Sequence, residues 1–221
     1  MKRCIPQEGL KLIACFAMLL DHIGAVLTGS TLLQLIGRIS FPIFCFLLVQ
    51  GIRHTRDPKR YLMRLGTFAL LSELPYDLLF FGRLGLAGQN VMLTLLLGAL
   101  LLLFLEQYSK PFVRVALILL FGIFADISRC DYGYRGILLV ALFYLTDKPL
   151  MQLLGLTLIS LLSFGSVSIF SIQIPVQLFS IFCLIPIGLY SGKKLTCSPI
   201  AQWAFYLFYP IHILAIFMLK I

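Results

Sequence analysis

The strongest constraint on this chain is how little of it is polar. Windows at roughly 9–29, 32–53, 61–81, 89–107, 111–126, 134–147, 150–170, 174–191 and 201–220 are apolar, and short connections separate them. A bilayer hydrocarbon core needs about 20 apolar residues per helix. It also holds no water to satisfy loose backbone groups, which favours helices that satisfy their own. The pattern predicts an all-α, polytopic integral membrane helix bundle of about nine transmembrane helices. The short sixth window is either a span or a re-entrant segment. With 60% hydrophobic and 12% charged residues and a mean hydropathy of +1.00, the chain is too apolar for a soluble globular domain. Nine spans use up 221 residues, so the sequence reads as one domain over 1–221.

The net charge of +9 raises the question of nucleic acid, but the basic residues sit in clusters between apolar runs. Lys2 and Arg3 precede the first window, "RHTRDPKRYLMR" joins the second to the third, and Lys110 and Arg114 follow the fourth. Lys148 follows the sixth and "GKK" the eighth. Basic residues at alternate connections mark the cytoplasmic side. The expected topology is N-terminus inside and C-terminus outside, with the lipid bilayer and no nucleic acid as partner. The first window has the basic end and apolar core of a signal peptide without a small-residue cleavage site, and it reads as a retained helix. The cysteines at 4, 15, 45, 130, 183 and 197 show no close pairing, so neither a disulfide nor a metal is expected from them.

This orientation gives each ionisable residue a depth. Asp21 and His22 fall in the outer half of the first helix, Arg38 at the outer start of the second, and Glu73 and Asp77 in the outer part of the third. Asn90 and Thr94 open the fourth from the same side, and Asp126, Arg129, Asp131 and Tyr132 lie in an outer connection. Ionisable groups at membrane depth are costly and mark sites or pathways unless they are paired. Arg38 is read either as a substrate contact or as half of an ion pair with Glu73 or Asp77. Asn90 and Thr94 either meet substrate or bond between helices, and Tyr132 and Tyr134 are either ligands or interfacial anchors.

His22 has the chemistry of a general base beside carboxylates able to orient it. Asp21, Glu73 and Asp131 are the candidates for that partner. Lys11 precedes His22 by eleven positions, which puts the two about 20° apart around one helix and about 16 Å apart along it. One helix face then carries a cation toward the cytoplasm and a histidine toward the exterior. A snorkelling lysine is the alternative for Lys11. Tyr209 and His212 flank Pro210, which is expected to loosen the last helix. No nucleotide-binding, metalloprotease or serine-hydrolase motif is present, and His22, His54 and His212 have no zinc spacing. No metal is expected.

The stretches "LKLIACFAMLLDHIG", "GRISFPIFCFLLVQGIRHTRDPKRYLMRL", "LLSELPYD", "NVMLTLLLG", "DYGYRGILLV" and "FYLFYPIHIL" resemble the TraX family in order and from end to end. The resemblance implies a membrane-embedded acetyltransferase of the bacterial cytoplasmic membrane, since the conjugation member of that family acetylates the pilin amino terminus. The Lys11 and His22 spacing is also similar, more loosely, to the first-helix pattern of transmembrane acyltransferases, where arginine is usual. Lysine lacks arginine's bidentate fork.

Under this resemblance, acetyl-CoA is the co-substrate. Arg53, Lys59, Arg60, Arg64 and Lys193 are candidates for its phosphates and Lys11 for its inner reach. His22 acts as base or acetyl carrier, with Asp21, Glu73 and Asp131 as catalytic carboxylates. Arg38, Asp77, Asn90, Tyr132, Tyr209 and His212 are candidates for binding the acceptor, either a peptide amino terminus or an envelope glycan. The rival expectations are a small proton-coupled transporter using the outer Asp, His and Glu cluster, and a purely structural assembly factor.

Overall fold

The computed structural model describes residues 3–85, 87–163, 165–169, 172–195 and 199–220. Cys197 lies outside the described residues. Among the described residues, the fold is helical apart from one small hairpin. The chain forms two compact units, Met1–Phe44 with Thr146–Phe208 and Met218–Ile221, and Cys45–Leu145 with Tyr209–Phe217.

In the first unit, α1 (Gln7–Ile23) runs into a π-helical turn, Gly24–Thr28, and stops at Gly29. There φ is +65°, a conformation that favours glycine. Ser30 caps α2 (Thr31–Gly37), its hydroxyl accepting from the Leu33 N–H. The next helix, α3 (Ser40–His54), opens in this unit with Ser40 donating to the Ala14 carbonyl at 2.8 Å, a buried bond back to α1, and belongs to the second unit from Cys45 onward. The N-terminal end of the chain is held by main-chain bonds: Cys4 and Ile5 N–H both donate to Leu189 O at 2.9 Å, and Ser191 N–H donates to Ile5 O at 2.8 Å.

Later in this unit come α8 (Pro149–Leu161), strands β1 (Ser166–Ile169) and β2 (Ile172–Pro175), a 3-10 stretch Val176–Cys183, and α9 (Leu184–Gly188). The strands pair antiparallel, with Val167 opposite Ile174. Ser160 on α8 donates to Gln177 O at 3.0 Å, tying the helix to the 3-10 stretch.

The second unit holds α4 (Pro58–Phe81), α5 (Val91–Gln107), α6 (Pro111–Ile127) and α7 (Gly133–Leu145). It also contains the Tyr209–Phe217 stretch of the last helix, α10 (Pro199–Lys220). Asp57 caps α4 by accepting from Arg60 N–H at 3.0 Å, with Pro58 at the first helical position, where its missing N–H costs nothing. A helix apolar on every side belongs inside a bundle, and α5 buries Leu97, Leu101, Leu102 and Leu105. It packs against α7 where Gly98 faces Val140 and Leu48, and a methyl group at Gly98 would come within 2.9 Å of Val140 Cγ2. Phe46 and Phe143 meet edge to face at 5.9 Å in the same core.

Among the described residues, three helical segments are long and apolar enough to cross a membrane: Gln7–Thr28, Thr31–His54 and Trp203–Lys220. The apolar helices α5, α7 and α8 are shorter. At 13 residues, α7 and α8 reach only about 20 Å.

Two expectations need correction. Window 150–170 is not one helix, because α8 ends at Leu161 and β1 follows. Alternating Ser and β-branched residues in "SVSI" and "IQIP" suit a two-residue strand period rather than a helical one. Window 174–191 is likewise a 3-10 stretch and a short helix instead of a span. Pro210 lies inside α10, which runs from Pro199 to Lys220.

Candidate functional site

The residues singled out in the sequence fall into separate groups, and each unit carries its own. In the first unit, Lys11, Asp21 and His22 all lie on the unbroken α1. Lys11 Nζ stands 5.0 Å over the Phe205 ring, a cation–π contact within the same unit. His22 is half-buried in the last turn of α1.

Its neighbour Asp21 accepts a hydrogen bond and ion pair from the Arg38 guanidinium, with the two side chains about one-fifth exposed at 21% and 17%. Arg38 Nε also donates to Gln34 O at 3.3 Å. The close approach depends on Gly37, because a methyl group there would overlap the Asp21 side chain and its Cα. Arg38 had been expected either to meet substrate or to pair with Glu73 or Asp77. The structure gives it Asp21, because the Gly24–Thr28 turn folds α2 back along the end of α1. Lys193 is exposed, and its carbonyl takes the Gln7 N–H at 2.9 Å.

In the second unit, Glu73, Asp77 and Asn90 form a tight polar cluster. Asn90 precedes a purely apolar run, the position of a helix cap, and its Oδ1 accepts from Met92 N–H at 3.0 Å. Its amide donates backward to Ala69 O at 2.8 Å. The same amide and the Asn90 backbone N–H both point to Glu73 Oε2. One fully buried side chain thus ends α5 and grips the middle of α4. One turn beyond Glu73, buried Asp77 accepts from Gly85 N–H at 2.9 Å.

The connection from α6 to α7 is fixed beside this cluster. Gln89 N–H donates to Arg129 O and Asp131 N–H to Gln89 O, both at 2.9 Å. Asp126 Oδ1 accepts from Tyr134 N–H at 2.8 Å, and at Gly133, φ +50°, any side chain would strike that oxygen. Asp131 itself is exposed and Tyr132 half-buried. Cys130 is buried in this connection, which pushes its thiol up to about 11. Tyr209 and His212 are buried, with rings 5.7 Å apart and tilted by 62°. Tyr209 shares an electrostatic neighbourhood with Asp131, Tyr76 and Glu73.

The basic residues after α3 are mostly turned outward. Arg53 is exposed, donates to Tyr144 O at 2.8 Å and lies over the Tyr144 ring. Lys59 and Arg60 are exposed, and Arg64 is half-buried against Tyr61. Among the described residues, no three His, Cys, Asp or Glu side chains converge as a metal site. The sequence reading passed over Ser72, Gly37 and the capping role of Asp126. Asp126 lies inside α6, eight positions before Tyr134, so its bond to that N–H has no local sequence signature, and neither has the fit of Gly37 against Asp21.

No solved structure matches this chain. Among curated proteins it is 30% identical over 233 aligned positions to "Probable fimbrial assembly protein FimC, serogroup H1" of Dichelobacter nodosus, covering 92% of this chain and 91% of the relative. An uncharacterized protein of Rickettsia prowazekii is 26% identical over 147 positions, covering 64% of this chain and 56% of that protein. The family model described as TraX protein matches residues 6–220. The chain belongs to the TraX family.

Proposed function

We propose that this protein is a membrane-embedded acetyltransferase that moves an acetyl group from cytoplasmic acetyl-CoA to an amine or hydroxyl on the extracytoplasmic side. Family membership over nearly the whole chain carries the reading, together with what the resemblance implies for that family. The setting of this reading is the bacterial cytoplasmic membrane, crossed several times, with the N-terminus inside. The continuous helix Gln7–Ile23 supports it, since Lys11 and His22 share one face at opposite ends.

His22 takes the proton of the acceptor or carries the acetyl group itself. Asp21 is engaged by Arg38, which leaves Glu73 and Asp131 as the carboxylates of the reading. Asp77, Asn90, Tyr132, Tyr209 and His212 bind the acceptor or shape its path. Lys11, Arg53, Lys59, Arg60, Arg64 and Lys193 attract the phosphates of the donor. The fimbrial-assembly name of the Dichelobacter relative favours an exported polypeptide over a glycan as acceptor.

A proton-coupled transporter is the second reading, favoured by the buried Asp77 and the half-buried Glu73. Coenzyme A separates the two. A ligand that binds only the folded state raises its melting temperature in proportion to saturation. Purified protein should be stabilised by acetyl-CoA and by coenzyme A in a saturable manner. Identical melting curves with and without either compound would refute the acetyltransferase and leave the transporter.

A further inference from the structure

Between α4 and α5, within one unit, four buried oxygens lack a hydrogen-bond partner: Ser72 Oγ, Glu73 Oε1, Asp77 Oδ1 and Thr94 Oγ1. Ser72, Asp77 and Thr94 are almost completely inaccessible, at 0%, 4% and 0% exposure. Their placement follows from helix periodicity. Ala69, Ser72, Glu73 and Asp77 recur at the three- and four-residue spacing of one helix face. Asn90 reaches that face at Ala69 and Glu73, and Thr94 lies one turn beyond Asn90 on α5. The Glu73 and Asp77 carboxylates lie within each other's field. The Thr94 hydroxyl faces the Cys130 sulfur, which also lies in the field of Glu73.

A buried polar atom without a partner costs about 1–3 kcal/mol, and a charged one more. Glu73 and Asp77 share one electrostatic neighbourhood, and Thr94 and Glu73 both border Cys130, so one partner could satisfy these oxygens together. No Lys or Arg among the described residues meets either carboxylate. Each carboxylate is already half satisfied by N–H donors, Glu73 from Asn90 and Asp77 from Gly85. What remains is a set of oxygen acceptors with a residual negative charge. Carboxylate and hydroxyl oxygens are the ligands of hard cations rather than of zinc or copper.

We propose that Ser72, Glu73, Asp77 and Thr94 hold a monovalent alkali cation between α4 and α5. The spacing of histidines and cysteines had suggested no metal, and this site uses neither. Hydrogen bonds from N–H groups weaken the field of both carboxylates, and an alkali ion costs less to dehydrate between helices than a divalent ion. The cation fixes α4 to the first turn of α5 and sets the position of Asn90. The assignment does not rest on acetyl transfer. It takes Glu73 out of the catalytic carboxylates, leaving Asp131, and takes Asp77 out of the residues that bind the acceptor.

The test uses full-length protein in detergent at fixed pH and ionic strength, with melting followed in sodium chloride, potassium chloride or N-methylglucamine chloride. The melting temperature should rise with sodium or potassium and saturate, relative to N-methylglucamine. Asp77→Asn and Thr94→Val should each abolish that rise while the protein stays monodisperse. Equal melting in all three salts overturns the proposal, as does a full alkali-ion response in a folded Asp77→Asn variant. Stabilisation by lowering the pH with no alkali-ion response also overturns it, since a shared proton would then occupy the site.

Discussion

Removing the Arg38 guanidinium leaves Asp21 as a carboxylate in a partly buried position with no replacement for its ion pair. Exposed pairs contribute about 0–1 kcal/mol, and breaking a fully buried one costs about 3–5 kcal/mol. With side chains 21% and 17% exposed, solvent screening removes part of the buried value, and the expected loss for Arg38→Gln is about 1–3 kcal/mol. Asp21→Asn should lose a similar amount by taking the carboxylate charge away from the guanidinium. The double variant should lose less than the two singles together, because neither then strands a charge. Unfolding of the detergent-solubilised chain can be followed through Trp203, its one tryptophan. Double-mutant coupling near 1 kcal/mol is the expected result. Single losses that add to within about 0.3 kcal/mol would show that the pair is not a clamp. Gly37→Ala provides an independent check. Its methyl group would meet the Asp21 backbone, which cannot rotate away, so a loss of about 1–3 kcal/mol is expected, and an unchanged stability would refute the close approach of α2 to α1.

Asn90→Ala removes the α5 cap and the grip on α4 together. It should cost at least the roughly 1 kcal/mol of a lost cap, and a loss well below that in equilibrium unfolding would contradict the bonds assigned to Asn90. Gly133→Ala places a methyl group against Asp126 at a left-handed backbone position. It should lower the melting temperature more than Gly82→Ala, where φ is also positive but nothing lies within 4 Å. Cys130 should resist maleimide at neutral pH, because the thiolate is the reactive form and burial keeps this thiol protonated up to about 11. Labelling should speed up as the pH rises toward that value, and rapid labelling at pH 7 would place Cys130 in water.

Much of the helical architecture was readable from the apolar windows, because a long apolar run without period-two alternation has little choice but a helix. The exception is instructive. The stretch after Leu161 is as apolar as its neighbours, yet "SVSI" and "IQIP" alternate and form a hairpin. Hydropathy averaged over a window conceals that alternation. Asn90 was recognisable as a polar residue opening an apolar helix, but its hold on Glu73, seventeen positions earlier, depends on how α4 and α5 pack. The partner of Arg38 was equally beyond local reading. Depth alone made Glu73, Asp77 and Asp21 equivalent, and the backward fold of α2 at the Gly24–Thr28 turn selects Asp21. Ser72 gave no signal, since a serine on a mostly apolar helix looks the same whether it faces lipid or a buried carboxylate.

The central claim is acetyl transfer through His22, and the direct measurement is transfer of label from radiolabelled acetyl-CoA by purified protein in membranes, wild type against His22→Ala. The account predicts that wild-type protein releases coenzyme A or forms a labelled product. The His22→Ala variant should be folded and bind coenzyme A but lose at least about a hundredfold in rate, the low end for removal of a general base. Transfer at the wild-type rate in the variant would contradict the account.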